Sequence, residues 1–526
     1  METEALDRLK QARSRKSDVE QDLKEAYFFA AHWRPKGVLS ETDTQKTRQQ
    51  DTDSPATSLF SEVSGDFVAH IMDTFMPPFV DWARRGPGMM TRQQDWKRVE
   101  KQVDAADKQI MQAIRASGFG AAAYQAFNPD LYVGTCAMWL DPAQVSFHLP
   151  ACWGVPIREF ECNIGPLGTV DDRFVVKWVS YDHAKVILGP GASIPQEIAN
   201  RSGGKKRCQL VLGFWQDYQS DGQVRWKHVK LLDRKLVEEV DLEGEGSCPL
   251  IPFRWEPDAD QPWGVGPGIK TLPTARVIDA LDAATQDRAE YGARPPYTYP
   301  NDGVINFDQG IEAGMGYPIL PGSAEDIKEL FFKGDINAGF YQIDQLERRV
   351  RRLAYVDFPE QPGKTPLSAT QFLEDLVKAQ KRIGPPGQMF WREGPREVFL
   401  RFKFILEAAG IVETVVRGDR EGEVIALEAY NPAVRAQSVE QVENALKTAQ
   451  VCYAIAPNEA ALAIDGMKSI ENVIDVLKEK ILVLRDPAEL QQAAGLMAQV
   501  MGGAAGMEAG AEAAGGAVNG SGMPLQ

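Results

Sequence analysis

The sequence is poor in cysteine. Its six, Cys136, Cys152, Cys162, Cys208, Cys248 and Cys452, are scattered over 526 residues, whereas a disulfide scaffold concentrates them. No two stand at C-x-x-C spacing and no histidine follows at zinc-ligand spacing. The five histidines, His32, His70, His148, His183 and His228, include no pair at helical metal-ligand spacing. Neither a metal nor a cofactor is therefore expected, and the cysteines read as reduced thiols. There is no run of about 18 apolar residues, so no membrane-spanning helix is predicted. The opening METEALDRLKQARSRKS is charged from its second residue and lacks the apolar segment of a signal peptide. Synthesis in a reducing cytoplasm is the resulting expectation.

Positive charge is also short. Lys and Arg number 58 against 74 Asp and Glu, a net charge of −16. A generic DNA-binding protein would carry the opposite balance, because neutralising phosphates drives its binding. Catalytic motifs are missing too. Gly264-Val265-Gly266-Pro267-Gly268-Ile269-Lys270 has neither the spacing of a phosphate loop nor a Ser or Thr beside its Lys, and reads as a joint before a helix. There is no G-x-S-x-G elbow. The pairs Asp171-Asp172 and Glu374-Asp375 are the kind that 74 carboxylates produce by chance. An enzyme is not expected.

What is present is an ordinary globular composition, 44% hydrophobic and 25% charged, long enough for about three or four domains. Residues 3–33 read as one helix ending at Trp33-Arg34-Pro35. A second is predicted after Ser54-Pro55, with Ser as cap and Pro at the first position. A third spans 93–117. From about 131 to 255, short β-branched and aromatic runs separated by turn residues predict an antiparallel β module with one helix near Asp182–Leu188. Helix returns over 269–292, with Leu272, Ala275, Ile278 and Leu281 on one face. A turn-rich insertion, 295–334, holds strand-like Val304–Phe307 and Pro318–Leu320. A helix over 337–356 follows, with Phe340, Ile343, Leu346, Val350 and Leu353 as an apolar stripe.

A Pro/Gly loop precedes a long helical region, 367–409. Gly384-Pro385-Pro386-Gly387 is expected to kink or break that region. Two more helices, 438–455 (with Ser438 and Gln441 spaced as a capping box) and 466–485, lead to a tail. In residues 491–526, 23 of 36 positions are Ala, Gly or Met, a composition that buries no core. One cluster stands out: Arg348, Arg349, Arg351 and Arg352 end the 337–356 helix, with Lys364 in the next loop. Cations there complement the helix dipole; pairing with a neighbouring subunit or contact with a polyanion are the other readings.

Taken in order, these parts resemble the head-to-tail connector, or portal, family of short-tailed phages. Phe75–Trp82 is similar to the family's Phe-Pro…Trp segment, and Leu131–Met138 to its small-residue strand. Cys248-Pro249-Leu250-Ile251-Pro252-Phe253-Arg254 with Trp263-Gly264-Val265-Gly266 resembles its C-P-x-I-P-x-R junction. Pro366–Gln371 resembles the start of its long helix. Departures are Gly384–Gly387, where the family is plainly helical, and Gln371 in place of an acid. The resemblance implies an α+β, mostly α, fold assembled into a ring. Its wing would be 1–255, a first stem helix 256–293, a clip 294–334 and a second stem helix 335–356. A tunnel loop 357–366, a long kinked wing helix 367–410, a crown 411–490 and the tail 491–526 would complete it.

The same resemblance implies a twelve-subunit channel at one capsid vertex of the virion, for packaging and ejecting double-stranded DNA. The implied partners are the terminase motor, tail adaptor or tail tube, major capsid and scaffolding proteins, and internal core or ejection proteins. On that plan the tunnel loop holds Pro359, Glu360, Gln361, Pro362, Gly363 and Lys364. The clip presents Tyr297, Tyr299, Asn301, Asp302 and Gly303, and the four arginines with Lys364 face the channel. Twelve copies would carry a charge of about −192, a wall that lets phosphate slide. A ring-forming neck or tail adaptor without a packaging role is the alternative.

Overall fold

The protein is seen here as a computed structural model. It describes residues 2–34, 55–88, 91–141, 151–189, 207–218, 224–300, 315–319, 328–329, 336–357, 383–413, 425–430 and 432–456, with single residues and short runs between 459 and 473. It divides into two units, Met1–Val434 and Arg435–Gln526.

The expected first helix is two, α1 (Glu2–Asp18) and α2 (Glu20–Ala30), separated at Val19 with φ −108° and ψ 6°. The break has a packing cause: α1 buries Ala5, Leu9 and Ala12 against a sheet, whereas α2 buries Leu23, Ala26 and Tyr27 in the main core with α3 (Leu59–Phe75). α3 starts later than Ser54-Pro55 suggests, and its N-cap, Ser58, makes no side-chain capping bond. The amides of Ala56 and Thr57 instead donate to the Asp279 carboxylate at 2.6 and 3.3 Å, which holds the chain extended before the helix. Strand β1 (Ala83–Pro87) follows, then α4 (Gln93–Ala116), close to its expected span, then α5 (Phe119–Phe127) and a turn of helix, α6 (Asp130–Val133). Three of the eight residues of the Leu131–Met138 segment are thus helical; Gly134, at φ 143°, switches it into β2 (Thr135–Asp141).

The β module is antiparallel as expected but forms two sheets. β2 lies between β3 (Ala151–Val155) and β9 (Leu250–Arg254). β4 (Phe160–Ile164), β5 (Val170–Ser180), β6 (Arg207–Asp217), β7 (Arg225–Leu232) and β8 (Lys235–Glu243) run in that order across the other. α7 (Tyr181–Leu188) is the expected helix, capped by the Ser180 hydroxyl. α8 (Pro267–Lys270) and α9 (Leu272–Ala293) follow, with Leu272, Ala275 and Ile278 buried.

β10 (Tyr297–Pro300), β11 (Gly316–Ile319) and β12 (Lys328–Glu329) make a small sheet in the insertion, with β10 central. Val304–Phe307 lies outside the described residues. α10 (Ile336–Leu353) packs along α9. Residues 383–393, Gly384-Pro385-Pro386-Gly387 included, are helical, and the part of the expected long helix before 383 lies outside the described residues. The interruption falls at Gly394 (φ −109°, ψ −81°), just before α11 (Pro395–Ala408). β13 (Ile425–Ala429), placed by sequence with the crown, pairs antiparallel with β1, Ala83 opposite Ala429. α12 (Pro432–Ile455) begins before Ser438, which therefore lies inside the helix and not at its start. Of 466–485 only 468–470 and 472–473 are described, as helix; 491–526 lies outside.

Candidate functional site

The arginine-bearing helix α10 is two-sided. Ile343 and Val350 are buried and Leu346 and Leu353 half-buried, as the stripe predicts. Phe340 lies on the helix, its side chain outside the described residues. The opposite face exposes Tyr341, Asp344, Gln345, Arg348, Arg349 and Arg352.

The four arginines do different things. Arg348 pairs with Asp344 one turn back at 3.1 Å. Arg351 turns to the body and bridges Glu62 (3.2 Å) and Asp66 (3.7 Å) on α3. Arg348, Arg349 and Arg352 line a cleft of about 660 Å³ with Gln345, Leu353 and Asp357. Burial pushes the Glu347 carboxyl up, opposed by Arg351 and reinforced by Asp282, Asp344 and Glu62. Cations and carboxylates interleave here, so only part of the cluster is available to an outside anion. Tyr297 and Tyr299 fall on β10 as backbone. Asn301, Asp302, Gly303 and the loop residues Pro359, Glu360, Gln361, Pro362, Gly363 and Lys364 lie outside the described residues.

α10 ends in a defined exit. Val356 N–H donates to Arg351 C=O (3.0 Å) and Tyr355 N–H to Arg352 C=O (3.3 Å), with Tyr355 at φ 60°. This is the paired bonding of a left-handed helix stop. Its Tyr355 ring packs edge-on to Trp255 and its hydroxyl donates to Glu256 at 2.7 Å.

α9 is tied to the body near its start. Arg276 grips Glu25 with two bonds (2.5 and 2.6 Å), and Asp279 holds residues 56–57. Beyond Ile278 no side chain of α9 is fully buried. Those 15 residues extend about 22 Å.

Behind the helices lies the segment that sequence singled out as a junction. Gly134, Gly264 and Gly266 let three backbones meet. A Cβ on Gly266 would lie 2.2 Å from Tyr132 O, and one on Gly264 2.3 Å from Gly134 O. Trp255 N–H donates to Gly134 C=O (2.8 Å) and Gly266 N–H to Val133 C=O (3.0 Å). Arg254, fully buried, forms a two-bond pair with Glu393 just before the Gly394 break.

The match with known proteins follows the same length of chain. The family model of bacteriophage head to tail connecting proteins matches residues 2–478. The chain belongs to that family. The connector also resembles a chain in the neck of an empty gene transfer agent particle, at 11% identity, covering 73% of this chain and 85% of that one, with a TM-score of 0.31. A chain of the native gene transfer agent virion gives 13% identity, 72% and 88% coverage and 0.29. No curated protein matches.

Sequence reasoning missed three buried polar hubs of the connector. Lys16 donates to Ile157 C=O (2.6 Å), Phe160 C=O (2.9 Å) and Glu161 (3.3 Å); burial lowers its pKa and raises that of Glu161. Asp130 accepts from Tyr27, Arg34 (2.9 Å) and Ile157 N–H (3.1 Å), and burial pushes its carboxyl up. The third is Arg254 with Glu393. The available signal was a charge inside an apolar run, as in Ile251-Pro252-Phe253-Arg254-Trp255, which must be paired if buried. Among the described residues no group of three or more His, Cys, Asp or Glu could hold a metal ion, and no helix is long and apolar enough to cross a membrane.

Proposed function

We propose that this connector is a portal protein. Twelve copies close into a ring at one capsid vertex; double-stranded DNA enters and leaves through its channel; terminase and then the tail dock on its clip. It acts structurally and turns over no substrate. The observation that carries this reading is the α9–α10 pair. Two helices leave the body side by side, joined through a small β sheet, with α9 burying nothing fully beyond Ile278. Helices draw most of their stability from tertiary packing, and like pairs from neighbouring copies supply it.

Native mass spectrometry with negative-stain imaging of the full chain tests the proposal. A ring of about twelve copies around a hole wide enough for duplex DNA is expected. A small closed oligomer without a hole would overturn it in favour of a neck or tail adaptor.

A further inference from the structure

α4 carries a face that the chain leaves unmatched. Its inner side buries Trp96, Val103, Ile110, Met111 and Ile114. On the outer side Lys97, Lys101 and Lys108 are exposed, and among the described residues none of them makes an ion pair. At 100° per residue these positions fall within about 40° of one another, in one row along the helix. The three ammonium groups make this row locally positive on a chain whose net charge is −16.

The complementary surface belongs to the same chain. β8 is an edge strand whose one strand neighbour among the described residues is β7; near its start the Leu236 amide donates to Glu2 at 3.2 Å, well before Glu239 and Asp241. Glu238 is matched by Lys230 (2.8 Å) and Glu243 faces Arg225 (3.7 Å). Glu239 and Asp241 are exposed and make no ion pair among the described residues. They share one face about 7 Å apart along the strand. Lys97 and Lys101 are about 6 Å apart along α4. An edge strand turns backbone carbonyl oxygens outward, a kind of acceptor that suits ammonium groups.

We propose that the exposed face of α4 docks on the β8 edge of a second copy of this chain. Chains this acidic repel one another unless the surfaces that meet are locally complementary. Two different patches joined head to tail generate a ring or a helix, so this contact rests on the ring reading and gives it an interface.

The test uses two full-length charge-reversed chains, Lys97→Glu/Lys101→Glu/Lys108→Glu and Glu239→Lys/Asp241→Lys. All five side chains are exposed, and unchanged thermal unfolding confirms the fold. Native mass spectrometry should show each variant alone assembling at least about tenfold less than the unmodified chain. An equimolar mixture should recover assembly, the two chains alternating. Assembly of either variant alone at the unmodified level, or no recovery on mixing, overturns the contact while leaving the ring reading intact. So does an unaltered ring that has lost its hold on duplex DNA, which would give the lysines to DNA. If the unmodified chain forms no ring, the ring reading fails; the contact is then upheld if the variants pair with each other and not with themselves, and overturned otherwise.

Discussion

Arg254 and Glu393 stand 139 residues apart and form a two-bond pair that joins the last strand of the β module to the helical run ending at Gly394. Removing one partner strands the other charge. Glu393→Ala should destabilise the protein by about 3–5 kcal/mol, read by chemical denaturation. Replacing both, Arg254→Met with Glu393→Leu, should recover much of that loss. A double variant no better than Glu393→Ala would show that the pair does more than satisfy its own charges.

The glycine junction makes a sharper prediction. Gly266→Ala places a methyl group against Tyr132 O and Gly134 N, backbone atoms that cannot swing away. A loss of more than about 3 kcal/mol is expected. Gly118→Ala is the control: nothing lies within 4 Å of the added carbon, although its φ of 72° still costs something. The cost there should be about 1 kcal/mol.

The arginines of α10 should separate into two classes. Arg351→Ala breaks the bridge to Glu62 and Asp66 and should cost about 0.5 kcal/mol, being part-exposed. Changing Arg348, Arg349 and Arg352 to Glu, together with Lys364→Glu, should leave stability nearly unchanged and lower genome retention in assembled particles. Unaltered packaging and retention would remove these residues from any DNA-facing role.

His228 gives a pH signature. Its ring stacks on Phe214 at 4.1 Å, its Nδ1 donates to Gly213 C=O at 3.1 Å, and burial brings its pKa down to about 4 from 6.5. The unfolded chain therefore takes up this proton first. Stability from His228 is complete above pH 6.5 and is lost as pH falls towards about 4, by up to about 3 kcal/mol. Comparing wild type with His228→Gln between pH 7 and pH 4.5 isolates it: the variant should lose less. Parallel losses would exclude His228 as a source.

The sequence by itself determined the order and kind of most elements. α4, α7, α9 and α10 fall within a few residues of their expected spans because hydrophobic periodicity is local and is written in the segment that folds. It also determined the glycine-rich junction as a place of note, though not as a meeting of three backbones. Only the tertiary structure decided the rest. Val19 breaks a continuous pattern because its two halves pack on different partners. α3 starts late because Asp279, over two hundred residues on, takes the amides before it. β13 pairs with β1, over three hundred residues earlier, because β1 offers it an edge. Arg351 parts from its neighbours because Glu62 and Asp66 lie beside it. In each case the deciding partner is distant along the chain, and periodicity carries no information about what lies across a fold.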